Sequence, residues 1–402
     1  MNTARKLGLS LTAFTLMGLV TSQPAGAQSV TQYSITDLGT GAAYGINNKG
    51  QVVGRDGTGS DISFNDKGLV VRGSNGHAFL YSDGVRQDLG TLGGSSSTAY
   101  GINDNGQVVG QSDISSQSSH AFLWDADNGM QDLGTLDSYN GPGTFKGYDS
   151  SYASSINNQG QIVGASVATV IIVDTRSSDP VEQTFRVDRA TLWNNGTINY
   201  LDSASERDEL SGNSSFAFPF RSTATAINNA GQVAGASGSV YDSTKNTAAV
   251  VWENGLKINL YTGKSLANSI NEKGQVVGTY VSSIGGVTGP YVKGFLSSLD
   301  SNTGKSTSFT SIDLFGQTGY RAQSINNKGQ VVGNPAMIGN PAFIWENGVG
   351  TNLNRLIPDS SGWRLQKAWA INDAGQLVGE GQFNSQTHAF LLTPVPEAAS
   401  TP

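Results

Sequence analysis

The chain has 402 residues, no cysteine, 52 glycines, 14% charged residues and a formal net charge of −7. The missing cysteines exclude disulfides, thiolate nucleophiles and Cys-ligated metals together, and the acidic balance argues against nucleic acid or anionic lipid, which reward a basic face. Glycine at about twice its usual ~7%, with charge well below the usual ~25%, is the composition of a turn-rich β protein.

Residues 1–27 read as a secretory signal peptide. Arg5 and Lys6 precede the apolar run LGLSLTAFTLMGLV, too short for a membrane span, and Ala25-Gly26-Ala27 is a small-x-small cleavage site. The predicted mature part is a single domain over 28–394 followed by a short disordered tail, 395–402. It is expected to be secreted, extracellular or periplasmic, with no membrane insertion after cleavage. After the signal peptide no amphipathic helix of ten residues appears; SASERDEL (203–210) comes nearest.

The mature part opens with YSITDLGT (33–40) and AYGINNKGQVVG (43–54). The second phrase returns as AYGINDNGQVVG at 99, ASSINNQGQIVG at 153, ATAINNAGQVAG at 224, ANSINEKGQVVG at 267, AQSINNKGQVVG at 322 and AWAINDAGQLVG at 368. Each N-x-x-G opens a tight turn: the asparagine carbonyl (Asn47, Asn103, Asn157, Asn228, Asn271, Asn326, Asn372) can cap a backbone N–H, and the glycine can take positive φ. The flanking Ile and Val are β-branched and suit a pleated, buried surface. Two further phrases also come seven times: HAFLY (77), HAFLW (120) and their relatives through HAFLL (388), and DLG-type segments centred on Leu38, Leu89, Leu133, Leu201, Leu260, Leu314 and Leu353.

Four strands per unit follow, a (AxGIN), b (QVVG), c (HAFLW) and d (DLG). Seven such units predict an all-β fold, a seven-bladed β-propeller of four-stranded blades. Strand d of YSITDLGT arrives before any a, b or c, while the last unit stops after HAFLL. The count therefore balances only if the N-terminal strand completes the C-terminal blade.

The stretches HAFLYSDGVRQDLGTLGGSSSTAYGINDNGQVVGQS (77–112) and HAFLWDADNGMQDLGTL (120–136) resemble the HAF-repeat family of bacterial extracellular proteins. That resemblance implies secretion and a repeat-built β fold, and it carries no reaction. Many PEP-CTERM-like relatives end in a sorting tail; PVPEAASTP (394–402) keeps Val395-Pro396-Glu397 but lacks the apolar span and the arginines, so free secretion is expected rather than surface anchoring.

The variable d-to-a and b-to-c loops are expected on one face, opposite the tight turns, and binding belongs there. Two residues before the repeat Ile stand Tyr44, Tyr100 and Trp369 in units 1, 2 and 7, which are neighbours only in a closed ring. Just past strand b the same units carry Arg55, Asp56, Asp113 and Glu380. Aromatic rings bordered by these charges suit an extracellular polysaccharide, or another cell-surface or matrix component; the alternative is that the rings pack between blades. His77, His120 and His388 occupy one repeat position on separate sheets, too far apart to share a metal. No phosphate loop, calcium loop or zinc-hydrolase motif appears, so no cofactor and no metal are expected. Two other readings stay open. One is a polysaccharide-degrading enzyme, a lyase using Tyr100 and His120 or a hydrolase pairing Glu380 with Asp56. The other is an adhesive matrix protein associating through the apolar hairpin around Val170 to Val173.

Overall fold

Short β-branched runs punctuated by Asn-x-x-Gly and Asn-Gly turns leave no stretch long enough for a helix, and the described residues bear this out. Every regular element is a β-strand except two 3-10 turns, Leu353–Arg355 and Asp359–Ser361. The computed structural model describes residues 31–396 apart from 58–62, 65–69, 72–75, 117, 137–143, 175–180, 203–219, 240–246, 262, 283–290, 301–304, 315–318 and 338–339. The predicted signal peptide, the SASERDEL segment and residues 397–402 lie outside the described residues.

Five sheets have four antiparallel strands in sequence order, as in Ser97–Ile102, Val108–Asp113, Ser119–Asp125 and Gly129–Asp132. A sixth sheet has seven strands because one long strand, Tyr33–Ile46, serves two units. Its first half pairs with Gln386–Pro394, placing Asp37 opposite Phe390, and its second half pairs with Val52–Asp56. The strand changes partner at Gly39 and Gly41, whose φ values of 88° and 120° suit glycine. A Cβ on Gly41 would lie 2.1 Å from the Arg55 carbonyl oxygen. Arg86 secures the crossing by donating to the carbonyls of Leu38 and Thr40 at 2.7 and 3.1 Å.

The HAF and DLG phrases owe their pairing to a shared contact. His77, His120 and His388 each bring Nδ1 to within 2.9 Å of an aspartate, Asp88, Asp132 and Asp37 respectively. The third pair joins the first strand to the last. The invariant glycine of strand b lies opposite a phenylalanine of strand c in five repeats, as in Gly110 opposite Phe122, and opposite Thr191 and Val250 in repeats 3 and 4. A Cβ on Gly110 would meet the Thr98 carbonyl oxygen at 2.0 Å and the Phe122 ring at 2.8 Å. The ring therefore occupies the space that a side chain on Gly110 would need.

The core lies between successive sheets. Val53, Ala78, Leu80 and Leu89 of repeat 1 pack on Ala99, Val108, Phe122 and Trp124 of repeat 2. The last repeat packs on the first in the same way, Val378, Ala389 and Leu391 against Ala43, Val52 and Phe79. In repeat 3 the apolar hairpin is an extension of the sheet, with Ile162–Asp174 and Val181–Asn194 paired out to Asp174 and Val181.

Candidate functional site

Strand a positions two sets of side chains, one at its turn end and one further back. At the turn, Asn47 Oδ1 accepts from the N–H groups of Lys49 and Gln51 at 3.1 and 2.9 Å, and its Nδ2 donates to Gln51 Oε1 at 2.7 Å. The second proton of that amide reaches the next repeat, at Asn103 O, 2.9 Å away. The same interaction recurs from Asn103 to Asn157, then to Asn228, Asn271, Asn326 and Asn372, and Asn372 donates to Asn47 O at 3.0 Å. A second series runs beside it, in which the backbone N–H of each following residue donates to the next repeat's side chain, from Asn48 to Asp104 through to Asp373 and back to Asn48. An amide accepts through its oxygen inside its own turn and has two protons to give, one to the glutamine and one to the neighbour's carbonyl, whereas a carboxylate has none and a hydroxyl only one.

Sequence reasoning found the capping oxygen and missed the donor. The visible signal was the glutamine four residues after every asparagine, together with Asn, Asp or Glu at the position between. At this turn end lies an open cavity of about 170 Å³ lined by turn asparagines and by the repeat isoleucines, Ile46 through Ile371. The isoleucines pack in the clusters between sheets, as expected, and also line this cavity.

Further back, each strand a carries a bulge at one repeat position. The ladder skips Tyr44, Tyr100, Ser154, Thr225, Asn268, Gln323 and Trp369. A bulged residue has no ladder partner and its side chain is re-aimed. Two of the polar ones bond across to the next repeat: Thr225 Oγ1 donates to Ala267 O and Asn268 Nδ2 to Ala322 O, both at 2.7 Å. Aromatic ones meet each other. The Tyr44 ring lies 5.9 Å from Tyr100 and 5.8 Å, edge-on, from Trp369.

Charged groups sit against these rings. Lys367 Nζ is 2.7 Å from Glu380 Oε1 and 5.6 Å from the centre of the Trp369 ring. Arg55 and Glu380 are buried, 6% and 5% exposed. Burial, then the Glu380 carboxylate and Tyr100, push the Tyr44 hydroxyl far above its ordinary range, with Arg55 pulling the other way. Tyr100 is pushed up to about 12, chiefly by burial, opposed by Arg55 and by its bond with Thr98. Tyr44 OH and Glu380 Oε2 are buried without a hydrogen-bond partner among the described residues.

Of the seven expected site residues, the structure brings Tyr44, Tyr100, Trp369, Arg55 and Glu380 into mutual influence. Tyr44 is 9% exposed and backs the cluster, whereas Tyr100 and Trp369 are half-buried. The remaining two have other work. Asp56 Oδ1 accepts from the His77 N–H at 2.5 Å, and Asp113 Oδ2 from Ser96 Oγ at 2.8 Å. Lys367 was missed, because it lies outside the AxGIN phrase. No cluster of three or more His, Asp or Glu able to hold a metal occurs among the described residues, nor any helix long and apolar enough to cross a membrane.

The family model for a protein of unknown function, DUF3466, matches residues 87–197. Among solved structures, the chain is similar to TolB from Acinetobacter baumannii, with 10% identity and a TM-score of 0.34 over 90% of this chain; it spans 65% of that one. It is also similar to the Dos1 propeller, with 10% identity and a TM-score of 0.38, over 90% of this chain and 94% of that one. No curated protein matches the chain.

Proposed function

We propose that the protein is a secreted, non-catalytic HAF-repeat β-propeller of seven blades, closed by its N-terminal strand, which binds an extracellular polysaccharide on the variable-loop side. Closure is supported by the asparagine series that returns from Asn372 to Asn47 and by the pairing of the first strand with the last. A repeat-built sheet fold of this kind suits binding of a ligand or of another protein.

The observation that carries the polysaccharide reading is the convergence of Tyr44, Tyr100 and Trp369, from repeats 1, 2 and 7, beside Lys367 and Glu380. Tyr100 and Trp369 supply the accessible ring faces and Tyr44 holds them apart. Sugars stack on such faces while their hydroxyls bond to neighbouring polar groups. Binding is favoured over cleavage by what the acid and base candidates already hold: Glu380 is engaged by Lys367, Asp56 by the His77 N–H, and His120 by Asp132.

Binding to a panel of immobilised polysaccharides tests this reading. Wild-type protein is expected to retain at least one polymer, and Tyr100→Ala with Trp369→Ala to weaken that binding about tenfold or more while the circular dichroism is unchanged. No retention by any polymer, or retention indifferent to both substitutions, would overturn it.

A further inference from the structure

Repeat 6 adds an element to this end of strand a that the aromatic pattern does not mark. Arg321 and Asn334 stand opposite each other on strands a and b, at the position that Lys367 and Glu380 hold in repeat 7. Asn334 is 3% exposed, and its Oδ1 accepts from the Ala368 N–H at 2.7 Å. That bond settles which end of the amide is which. It leaves Nδ2 as a buried donor with no partner among the described residues, and Arg321 Nε is in the same condition.

Lys367 is the chain neighbour of Ala368, so these donors adjoin the Lys367–Glu380 pair and, through Trp369, the ring of Tyr44. Arg321, Lys367 and Arg55 outnumber the two carboxylates of Glu380 and Asp56, in a chain whose overall charge is −7. Local positive charge on an acidic protein, with buried N–H donors lacking acceptors, has the chemistry of an anion site.

We propose that Arg321 and Asn334, with Lys367, receive an anionic substituent of a sugar, a carboxylate or a sulfate ester, so that the polysaccharide bound is an acidic one. This rests on the polysaccharide reading above. The test compares polygalacturonate, dextran sulfate and neutral dextran by affinity electrophoresis or calorimetry. The expected result is binding of at least one anionic polymer about tenfold or more tightly than dextran, weakening as salt is raised. Preference for polygalacturonate assigns the carboxylate, and preference for dextran sulfate the sulfate.

Arg321→Gln is expected to weaken that binding about tenfold with the thermal midpoint kept, since its Nε has no internal partner to lose, and Arg321→Lys to retain part of it. Should dextran bind as tightly as both anionic polymers, or Arg321→Gln bind like wild type, the anion site is overturned and the polysaccharide reading survives. Should none of the polymers in this test or in the wider panel bind, both fail.

Discussion

The two ends of strand a obey opposite rules. At the turn end, seven repeats carry the same asparagine, and each amide is used on both atoms within its own turn and across to the next. Away from the turn, on strand a and on strand b opposite it, the repeats diverge, and buried polar atoms such as Tyr44 OH, Glu380 Oε2, Asn334 Nδ2 and Arg321 Nε stand without partners among the described residues. Buried polar groups are ordinarily paired, so orphans need a reason. In this molecule sameness marks the contacts that hold repeats together, and divergence marks where the proposed ligand would bind.

Substitutions sharpen that contrast. The largest loss is expected at the strand-b glycine, where Gly110→Ala would press a Cβ against the Thr98 carbonyl oxygen and the Phe122 ring. Urea unfolding should show a cost of about 3 kcal/mol, at the upper end for overpacking. Asn157→Asp comes next. It places an oxygen where Nδ2 now donates to Gln161 Oε1 and Asn228 O at 2.8 and 3.1 Å, and should cost about 2 to 4 kcal/mol by the same measurement. By contrast Arg321→Gln, at the divergent end, should change stability by less than about 0.5 kcal/mol. If Asn157→Asp were as mild as Arg321→Gln, the distinction between the two ends would collapse.

Alkaline titration gives a smaller, graded effect. Burial, with the Glu346 charge, pushes Tyr33 up to about 12, and burial does the same to Tyr100, both above the ordinary 10 of an unfolded chain. A raised folded-state pKa means that the neutral form is favoured by folding. The stability from these groups is therefore present in full below pH 10 and is lost as pH rises through about 12. Absorbance at 295 nm should show tyrosinate appearing late and together with unfolding, and Tyr100→Phe should remove part of the dependence.

Much of the strand plan was legible because its signals are local: each N-x-x-G falls at a turn and each HAF phrase on a third strand, while the DLG leucines other than Leu38 fall just past the end of the fourth, Leu353 in a 3-10 turn. The pairing of Tyr33–Thr40 with the segment holding Phe390 was legible too, from the phase of the phrases alone. The bulge at Tyr44 and its six equivalents was not, because a skipped ladder residue leaves no mark in a repeat of fixed length. The aromatic trio was found by its position in the repeat, but its burial was not, since packing decides whether a ring is a platform or a backing. Asp56 and Asp113 followed the charge pattern, but their hydrogen bonds from the His77 N–H and Ser96 Oγ were not legible, since residue type alone does not show them. Lys367, Arg321 and Asn334 escaped because their positions vary between repeats and form no phrase.

The most direct measurement exploits the missing cysteines. Ser34 and Thr393 are opposite partners on the first and last strands, a separation within reach of a disulfide. The Ser34→Cys, Thr393→Cys double variant, oxidised as a dilute monomer, should form an intramolecular bond seen by mass spectrometry and unfold at a higher temperature than its reduced form. Free thiols that persist, or a bond that lowers the unfolding temperature, would contradict the pairing of the two termini on which the clustered site depends.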